Sequence, residues 1–309
     1  MMPALQKKAY LLVIFGVFMV SYSGPMVKGA LLQGATPITI AFLRMLSAGL
    51  IMLPFSIRKR PGEMHASLGQ VLHAPKRQLL FGVLAAVFLA LHYFTWMTSM
   101  NSTSTFASVA LVCTQPLFVA AFSGFLLHEP MQKAARPGAM VALIGAVMIG
   151  INSLTGDGGD IGGDLLALCG AVTMAGHWLC GRHARKSMPA MGYTVFVYLT
   201  TALILGLLIP FAGGFDLPGN AIWYLAGLVL GSTLMGHAVF TYALGSVSAH
   251  VVSFALLGEP VGAMLWALLM FDEKPSLLLL SGGAVVLLGL FLYLRAAAKK
   301  ASGSVQTSV

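Results

Sequence analysis

Long apolar runs recur along the chain, and short stretches that collect the charged residues separate them. A bilayer core about 30 Å thick requires roughly 20 mostly apolar residues per helix. Runs of about this length follow one another almost from end to end. The pattern predicts ten membrane-spanning helices, at residues 10–27, 37–57, 79–99, 105–127, 137–153, 164–181, 192–211, 222–244, 249–271 and 276–294.

The composition agrees with a membrane protein. Hydrophobic residues make up 58% of the chain and charged residues only 9%, whereas a soluble domain carries about 25% charged residues. The 35 glycines and 14 prolines are compatible with membrane helices, because neighbouring helices satisfy the freed backbone groups. The net charge of +9 comes from short clusters without a continuous basic stripe, so we expect a lipid bilayer and no nucleic acid as partner.

The basic residues indicate how the chain is oriented. With a cytoplasmic N-terminus, most Lys and Arg lie on the inner side, as the positive-inside rule requires. An odd number of spans would move about half of the loops to the wrong side. We therefore predict a bacterial inner (plasma) membrane protein with both termini in the cytoplasm. The inner basic residues are Lys7, Lys8, Arg58, Lys59, Arg60, Lys76, Arg77, Lys133, Arg136, Arg182, Arg185, Lys186, Arg295, Lys299 and Lys300.

Proline and acidic positions recur at one offset in the two halves. Gln115-Pro116 aligns with Glu259-Pro260, and Glu129 aligns with Glu273, both 144 residues apart. Chance similarity among Leu-, Ala- and Gly-rich helices is the alternative explanation. A unit of five spans is odd, so a second copy would be inserted upside down, as in the inverted repeats of secondary transporters.

The predicted fold class is therefore an all-α integral membrane protein with ten transmembrane helices in two inverted five-helix repeats. The repeats are expected at residues 8–153 and 164–296, and a disordered cytoplasmic tail at 297–309. The loop 156–164, GDGGDIGGD, lacks the Lys-Ser/Thr pair of a phosphate loop and is interpreted as a flexible acidic outer loop.

The segments that close each unit, PLFVAAFSGFLLHE and EPVGAMLWALLMFDE, resemble the EamA-type transporters of the drug/metabolite transporter superfamily. Arg44 and the glycine-rich fifth helices fit this resemblance, which covers about residues 8–296, although the seventh span has no arginine to match Arg44. The resemblance implies a transporter and no enzyme. It would export a small organic metabolite, such as an amino acid, a nucleobase or a drug-like solute, by alternating access, with proton coupling as a further hypothesis. We expect no cofactor, and a monomer or a homodimer.

An intramembrane enzyme, a channel and a transporter of lipid-like solutes are the alternative functions. An intramembrane protease would need a motif such as HExxH or Gly-x-Gly-Asp within a span, and the sequence contains neither. A channel would need repeated rings of polar residues, whereas the polar positions here are few and unequal between the halves. A transporter of lipid-like or lysophospholipid solutes stays open, because the 18 methionines suit an adaptable apolar wall.

Ionisable residues inside a membrane are costly and usually face a cavity or pair with one another. Glu259 is predicted to bind a cationic or amino group or to carry a coupled proton; a structural hydrogen-bonded glutamate is the alternative. Its counterpart Gln115 is expected to meet it at the midplane. Arg44 is expected to anchor the second span near the outer interface.

Histidines and aromatic residues complete the predicted substrate site. His92 and His237 align between the halves and are candidate gates, with interhelical hydrogen bonding as the alternative. His177 could instead lie at the interface near Arg182, and the aromatic residues could mark interfaces rather than line a cavity. No metal site is expected. The predicted substrate-binding residues are Gln115, Glu259, His92, His237, Trp96, Tyr93, Tyr22, His177, Trp178 and Tyr242.

Overall fold

The computed structural model describes residues 4–58, 67–126, 133–155, 160–236 and 258–306, and within these residues it contains helices and no strands. A 3₁₀ turn precedes α8, another follows α10, and a π-helical segment, Leu228–Gly236, continues α11. The helices are α1 (Ala4–Ser21), α2 (Ser23–Leu32), α3 (Pro37–Ile57), α4 (Ser67–Leu72), α5 (Lys76–Ser99), α6 (Thr105–Val112), α7 (Gln115–Leu126), α8 (Arg136–Leu154), α9 (Ile161–Ala184), α10 (Ala190–Leu208), α11 (Ala221–Gly227), α12 (Glu259–Phe271) and α13 (Leu277–Gln306).

Seven helical stretches in the described residues are long and apolar enough to cross a membrane. Three shorter apolar helices, Thr105–Val119, Ala221–Gly236 and Glu259–Phe271, coincide with three further predicted spans. The all-α membrane class is thus confirmed for the described part of the chain, whereas ten spans in an inverted arrangement stay a prediction. The seven stretches are Leu12–Leu32, Pro37–Ile57, Lys76–Ser99, Lys133–Leu154, Ile161–Ala184, Ala190–Phe211 and Leu277–Ala296.

Two predicted spans are interrupted in the structure. The first breaks at Tyr22, between α1 and α2, and the fourth breaks at Cys113, between α6 and α7. Proline explains both breaks, because it has no N–H to donate to the carbonyl four residues earlier and its ring clashes with that carbonyl. Pro25 and Pro116 leave the carbonyls of Ser21 and Val112 without this partner.

Two other segments differ from the sequence-based expectation. α4 is a short helix that the hydropathy pattern does not predict, and the Ser67 hydroxyl at its start donates to the Ser56 carbonyl at 3.0 Å. α13 continues to Gln306, into the stretch for which a disordered tail is predicted. Residues 297–301 are all alanine or lysine, which are strong helix formers.

The helices pack in a regular set of pairs. α5 packs along α9, α8 along α13, α3 along α10, and α6 along α12. In the α8–α13 pair the backbones touch: a Cβ on Gly145 would lie 2.5 Å from the Val286 nitrogen, and a Cβ on Gly289 would overlap the backbone of Ala142. Glycine is required here because any side chain would push the two helices apart.

Two histidines join α5 to α9. His92 Nδ1 lies 2.9 Å from the Gly170 carbonyl oxygen, and His177 Nδ1 lies 2.9 Å from the Ala85 carbonyl oxygen. A carbonyl oxygen only accepts, so both rings carry a hydrogen on Nδ1. The His92 contact matches its interhelical alternative. His177, for which the alternative was an interfacial position, is also hydrogen-bonded between helices, and a role of either histidine in substrate binding stays a prediction.

Polar side chains tie several helices together at the end of the bundle where α5 stops. The buried Asp164 accepts hydrogen bonds from the Thr103 hydroxyl at 2.7 Å and the Ser153 hydroxyl at 2.6 Å. Lys28 Nζ donates to the Met100 carbonyl at 2.7 Å. Asp164, which the sequence assigns to the flexible acidic loop, is therefore fixed between the α5–α6 turn and α8; residues 156–159 lie outside the described residues.

Candidate functional site

Arg44, in the first half of α3, lies at the centre of a polar cluster. Its side chain is 3% exposed. Its Nε donates to the Thr233 hydroxyl at 2.9 Å, and its Nη1 donates to the Ser23 hydroxyl at 3.3 Å. The guanidinium carbon lies 4.7 Å from the centre of the Tyr93 ring, within cation–π range. The expectation of an interfacial anchor is therefore wrong: Arg44 is buried among polar and aromatic partners from other helices.

Irregular backbone positions both hydroxyl partners of Arg44. Ser23 begins α2 directly after the break at Tyr22. Thr233 lies in the π-helical segment, where its hydroxyl donates to the Leu228 carbonyl at 3.0 Å. π-helical turns are rare and occur frequently at functional sites. The chain thus departs from regular α-helix on both sides of the buried charge.

Aromatic residues of α5 form one wall of the cluster. Trp96 lies four residues after His92 and three residues after Tyr93, so each of them lies beside Trp96 on the surface of the helix. The rings of His92 and Trp96 stack, with centroids 5.7 Å apart and planes 10° from parallel. Trp96 Nε1 is buried and has no hydrogen-bond partner. Three of the predicted site residues are therefore adjacent, next to Arg44.

Glu259 and Gln115 each begin a helix that carries proline as its second residue. Glu259 interacts electrostatically with Arg44 and with Cys113, which ends α6 just before Gln115. The Gln115 side-chain oxygen is buried and has no partner. The predicted meeting of Gln115 and Glu259 thus has indirect support, through Cys113.

The remaining predicted residues fall in different places. Tyr22 packs edge-on against Trp266 of α12, with ring centroids 5.1 Å apart. Trp178 packs against His177 and is 51% exposed, so the structure does not bring it into the cluster. His237 and Tyr242 lie outside the described residues, as does Glu129.

Sequence reasoning missed Thr233, Tyr198 and Trp266. Tyr198, on α10, interacts electrostatically with both Arg44 and Tyr93. A signal for Thr233 exists in the sequence, because a buried arginine needs hydrogen-bond acceptors and Ser232-Thr233 is a polar pair within an apolar run. Nothing in the sequence pairs it with Arg44, 189 residues away.

A carboxylate joins the two halves of the chain near α6. Glu273, just after α12, accepts the backbone N–H of Thr105, the first residue of α6, through Oε1 at 2.7 Å. The Ser104 hydroxyl caps the same helix by accepting the Ala107 N–H at 3.1 Å. A negative charge at a helix N-terminus is stabilising because of the free N–H groups and the helix dipole.

We expect Glu273→Gln to destabilise the folded protein by about 1 kcal/mol, because it removes the charge from this cap. The measurement is thermal unfolding of the purified protein in detergent. Asp272→Asn is the matched control, since Asp272 is an exposed neighbouring carboxylate paired with Lys274 at 3.3 Å. An equal loss of stability in both variants would contradict the capping role.

The family model of the EamA-like transporter family matches residues 7–151 and again residues 161–295. The chain belongs to the EamA-like transporter family. It is thus a multi-pass membrane protein of a transporter family, whose members act on small molecules in a lipid bilayer.

Relatives and a solved structure agree with this assignment. An uncharacterized transporter of Clostridium kluyveri is 25% identical over 297 residues, with 92% of each chain covered. A WAT1-related chloroplast protein of Arabidopsis thaliana is 25% identical over 272 residues, covering 83% of this chain and 62% of its own. A crystal structure 18% identical in sequence superposes with a TM-score of 0.62 over 93% of this chain and 97% of the other, which shows a shared fold.

Proposed function

We propose that this EamA-like protein is a secondary carrier that exports a small organic metabolite across the bacterial inner membrane by alternating access. The observation that carries the proposal is the packing of α6, which ends just before α7 begins, against α12. Glu259-Pro260 opens α12, Gln115-Pro116 opens α7, and Glu259 interacts electrostatically with Cys113 and Arg44. Interrupted helices that meet between two halves are the binding-site architecture of secondary transporters.

The packing supports ten spans in two inverted repeats, at residues 8–153 and 164–296. In the predicted numbering, α8–α13 pairs spans five and ten, α3–α10 pairs spans two and seven, and α6–α12 pairs spans four and nine. The α5–α9 pair joins spans three and six. Its equivalent after exchange of the halves is the contact between spans one and eight, in which α1 and α2 pack against α11 and its π-helical continuation. These pairs are unchanged when the halves are exchanged, as expected for a two-fold relation. The two separate family matches agree with it.

The orientation in this proposal has both termini in the cytoplasm, as the distribution of Lys and Arg favours. The end of the bundle that holds Asp164, Lys28 and the Glu273–Thr105 hydrogen bond is then extracytoplasmic. Glu259 is the proposed carrier of the coupled proton, because it begins α12 and interacts electrostatically with the buried Arg44.

Counterflow in proteoliposomes tests the carrier proposal. A candidate solute is chosen as a metabolite that accumulates in cells lacking the protein. Liposomes loaded with excess unlabelled solute should transiently concentrate the labelled solute from outside, because a carrier exchanges one molecule for another. Equilibration without overshoot would indicate a channel, and no flux above protein-free liposomes for any candidate would contradict transport.

A further inference from the structure

The buried Arg44 has hydrogen-bonding capacity that the protein does not use. A guanidinium has five N–H donors, and in the described part of the chain only Nε and Nη1 of Arg44 are hydrogen-bonded, to Thr233 and Ser23. Both partners are neutral hydroxyls, so no carboxylate among the described residues is ion-paired with the charge. Planar, bidentate recognition of a carboxylate is what arginine does best among the cationic side chains.

A second unpaired donor lies beside Arg44. The indole of Trp96 is 5% exposed, its Nε1 has no partner among the residues that the structure describes, and its ring centre is 6.0 Å from the Arg44 guanidinium carbon. An indole N–H can only donate, and leaving a buried donor unpaired destabilises the folded protein. A ligand oxygen that accepts from both Arg44 and Trp96 would remove this destabilisation.

The surroundings restrict the rest of the ligand. Tyr93 stacks under the guanidinium, and the aromatic rings of His92 and Trp96 continue the same face of α5. Such a wall suits an apolar or aromatic body, because rings bury large areas and stack in offset or edge-on geometry. Glu259 is the nearby acidic group, and it interacts electrostatically with Arg44.

We propose that Arg44 and Trp96 bind the carboxylate group of the transported solute, and that the solute has an apolar or aromatic body that packs along α5. This inference rests on the proposed carrier function and narrows its substrate to organic carboxylates. Glu259 also interacts electrostatically with Arg44, so its negative charge disfavours binding of a carboxylate there. Removal of that charge strengthens carboxylate binding.

Calorimetric titration of the purified protein in nanodiscs tests this with three probes of similar shape: phenylacetate, its neutral amide 2-phenylacetamide, and the cation phenethylamine. We expect phenylacetate to bind at least about tenfold more tightly than the amide, a difference of about 1.4 kcal/mol, since a hydrogen bond to a charged group is stronger than one to a neutral group. Equal affinity for acid and amide, preference for the amine, or no binding of phenylacetate would each overturn the proposal.

Substitutions at individual residues test whether the carboxylate binds at Arg44 and Trp96. Arg44→Gln should abolish the preference for the acid over the amide, and Trp96→Phe should weaken phenylacetate binding several-fold while keeping the aromatic wall. Glu259→Gln should tighten phenylacetate binding. Lys28→Gln is the control, because Lys28 is a second cation hydrogen-bonded elsewhere, to the Met100 carbonyl, and its loss should leave the preference unchanged. If Arg44→Gln does not fold, the proposal is tested by the Trp96 and Glu259 variants and by the ratio of the affinities for phenylacetate and 2-phenylacetamide in the natural protein.

The binding and transport experiments distinguish failure of the carboxylate site from failure of the carrier function. Tight phenylacetate binding without counterflow of any carboxylate would remove the carrier function and keep the site. Counterflow of an amine or a neutral solute, together with no preference for phenylacetate, would keep the carrier and remove the carboxylate site.

Discussion

Replacing Glu259 with glutamine should abolish proton-driven transport in proteoliposomes while leaving the folded yield intact. Glutamine has nearly the same shape and can follow Gly258 at the start of α12, but it neither takes up nor releases a proton. Glu259 is a carboxyl group at the start of α12 and interacts electrostatically with the buried Arg44, and ionisable residues inside membrane proteins often serve as proton relays. Uptake driven by an imposed pH gradient should fall to the level of protein-free liposomes.

Asp272→Asn provides the control for this experiment, because it removes an exposed carboxylate from the other end of α12. It should transport as the natural protein does. Counterflow without a pH gradient should persist in Glu259→Gln, since exchange of solute requires no net proton movement. Transport by Glu259→Gln that still follows the pH gradient would remove the coupling role from Glu259.

Gly145→Ala should lower the free energy of unfolding by about 2–3 kcal/mol, because the added methyl group overpacks the α8–α13 contact. The new Cβ would lie 2.5 Å from the Val286 backbone nitrogen, and a backbone cannot rotate away as a side chain can. Gly145→Leu should prevent recovery of folded protein. The measurements are thermal unfolding and the monodisperse fraction after size-exclusion chromatography.

Gly150→Ala is the matched control on the same helix. Its Cβ would meet only the Ile161 Cδ1 atom, at 3.5 Å, an ordinary van der Waals contact. Alanine favours a helix over glycine by about 1 kcal/mol, so this variant should be as stable as the natural protein or more stable. Equal destabilisation at positions 145 and 150 would show that the close approach of α8 and α13 does not determine the effect.

The long apolar helices were predictable, and their interruptions were not. Pro37–Ile57 coincides with its predicted span, because a proline at the helix start and an apolar run of membrane length give the same boundaries. The breaks at Tyr22 and Cys113 were missed because hydropathy averages over about 19 residues and does not register one lost hydrogen bond. Pro25 and Pro116 were the available signals.

The candidate site was partly predictable. The repeat identified Gln115 and Glu259, and α-helical spacing groups His92, Tyr93 and Trp96. The burial of Arg44 was not predictable, because its hydroxyl partners Ser23 and Thr233 come from distant segments whose geometry is irregular. A charge near the end of an apolar run resembles an interfacial anchor until its partners are known.

The paired histidine contacts between α5 and α9 have a mechanical consequence. His92 of α5 is hydrogen-bonded to Gly170 of α9, and His177 of α9 is hydrogen-bonded to Ala85 of α5. On each helix the two hydrogen-bonded positions are therefore seven residues, or about two turns, apart. Neither helix can slide or roll along the other without breaking both. In the proposed carrier we therefore expect α5 and α9 to move as one rigid body, and the bending that opens one side of the protein to fall on the interrupted helices at Tyr22 and Cys113.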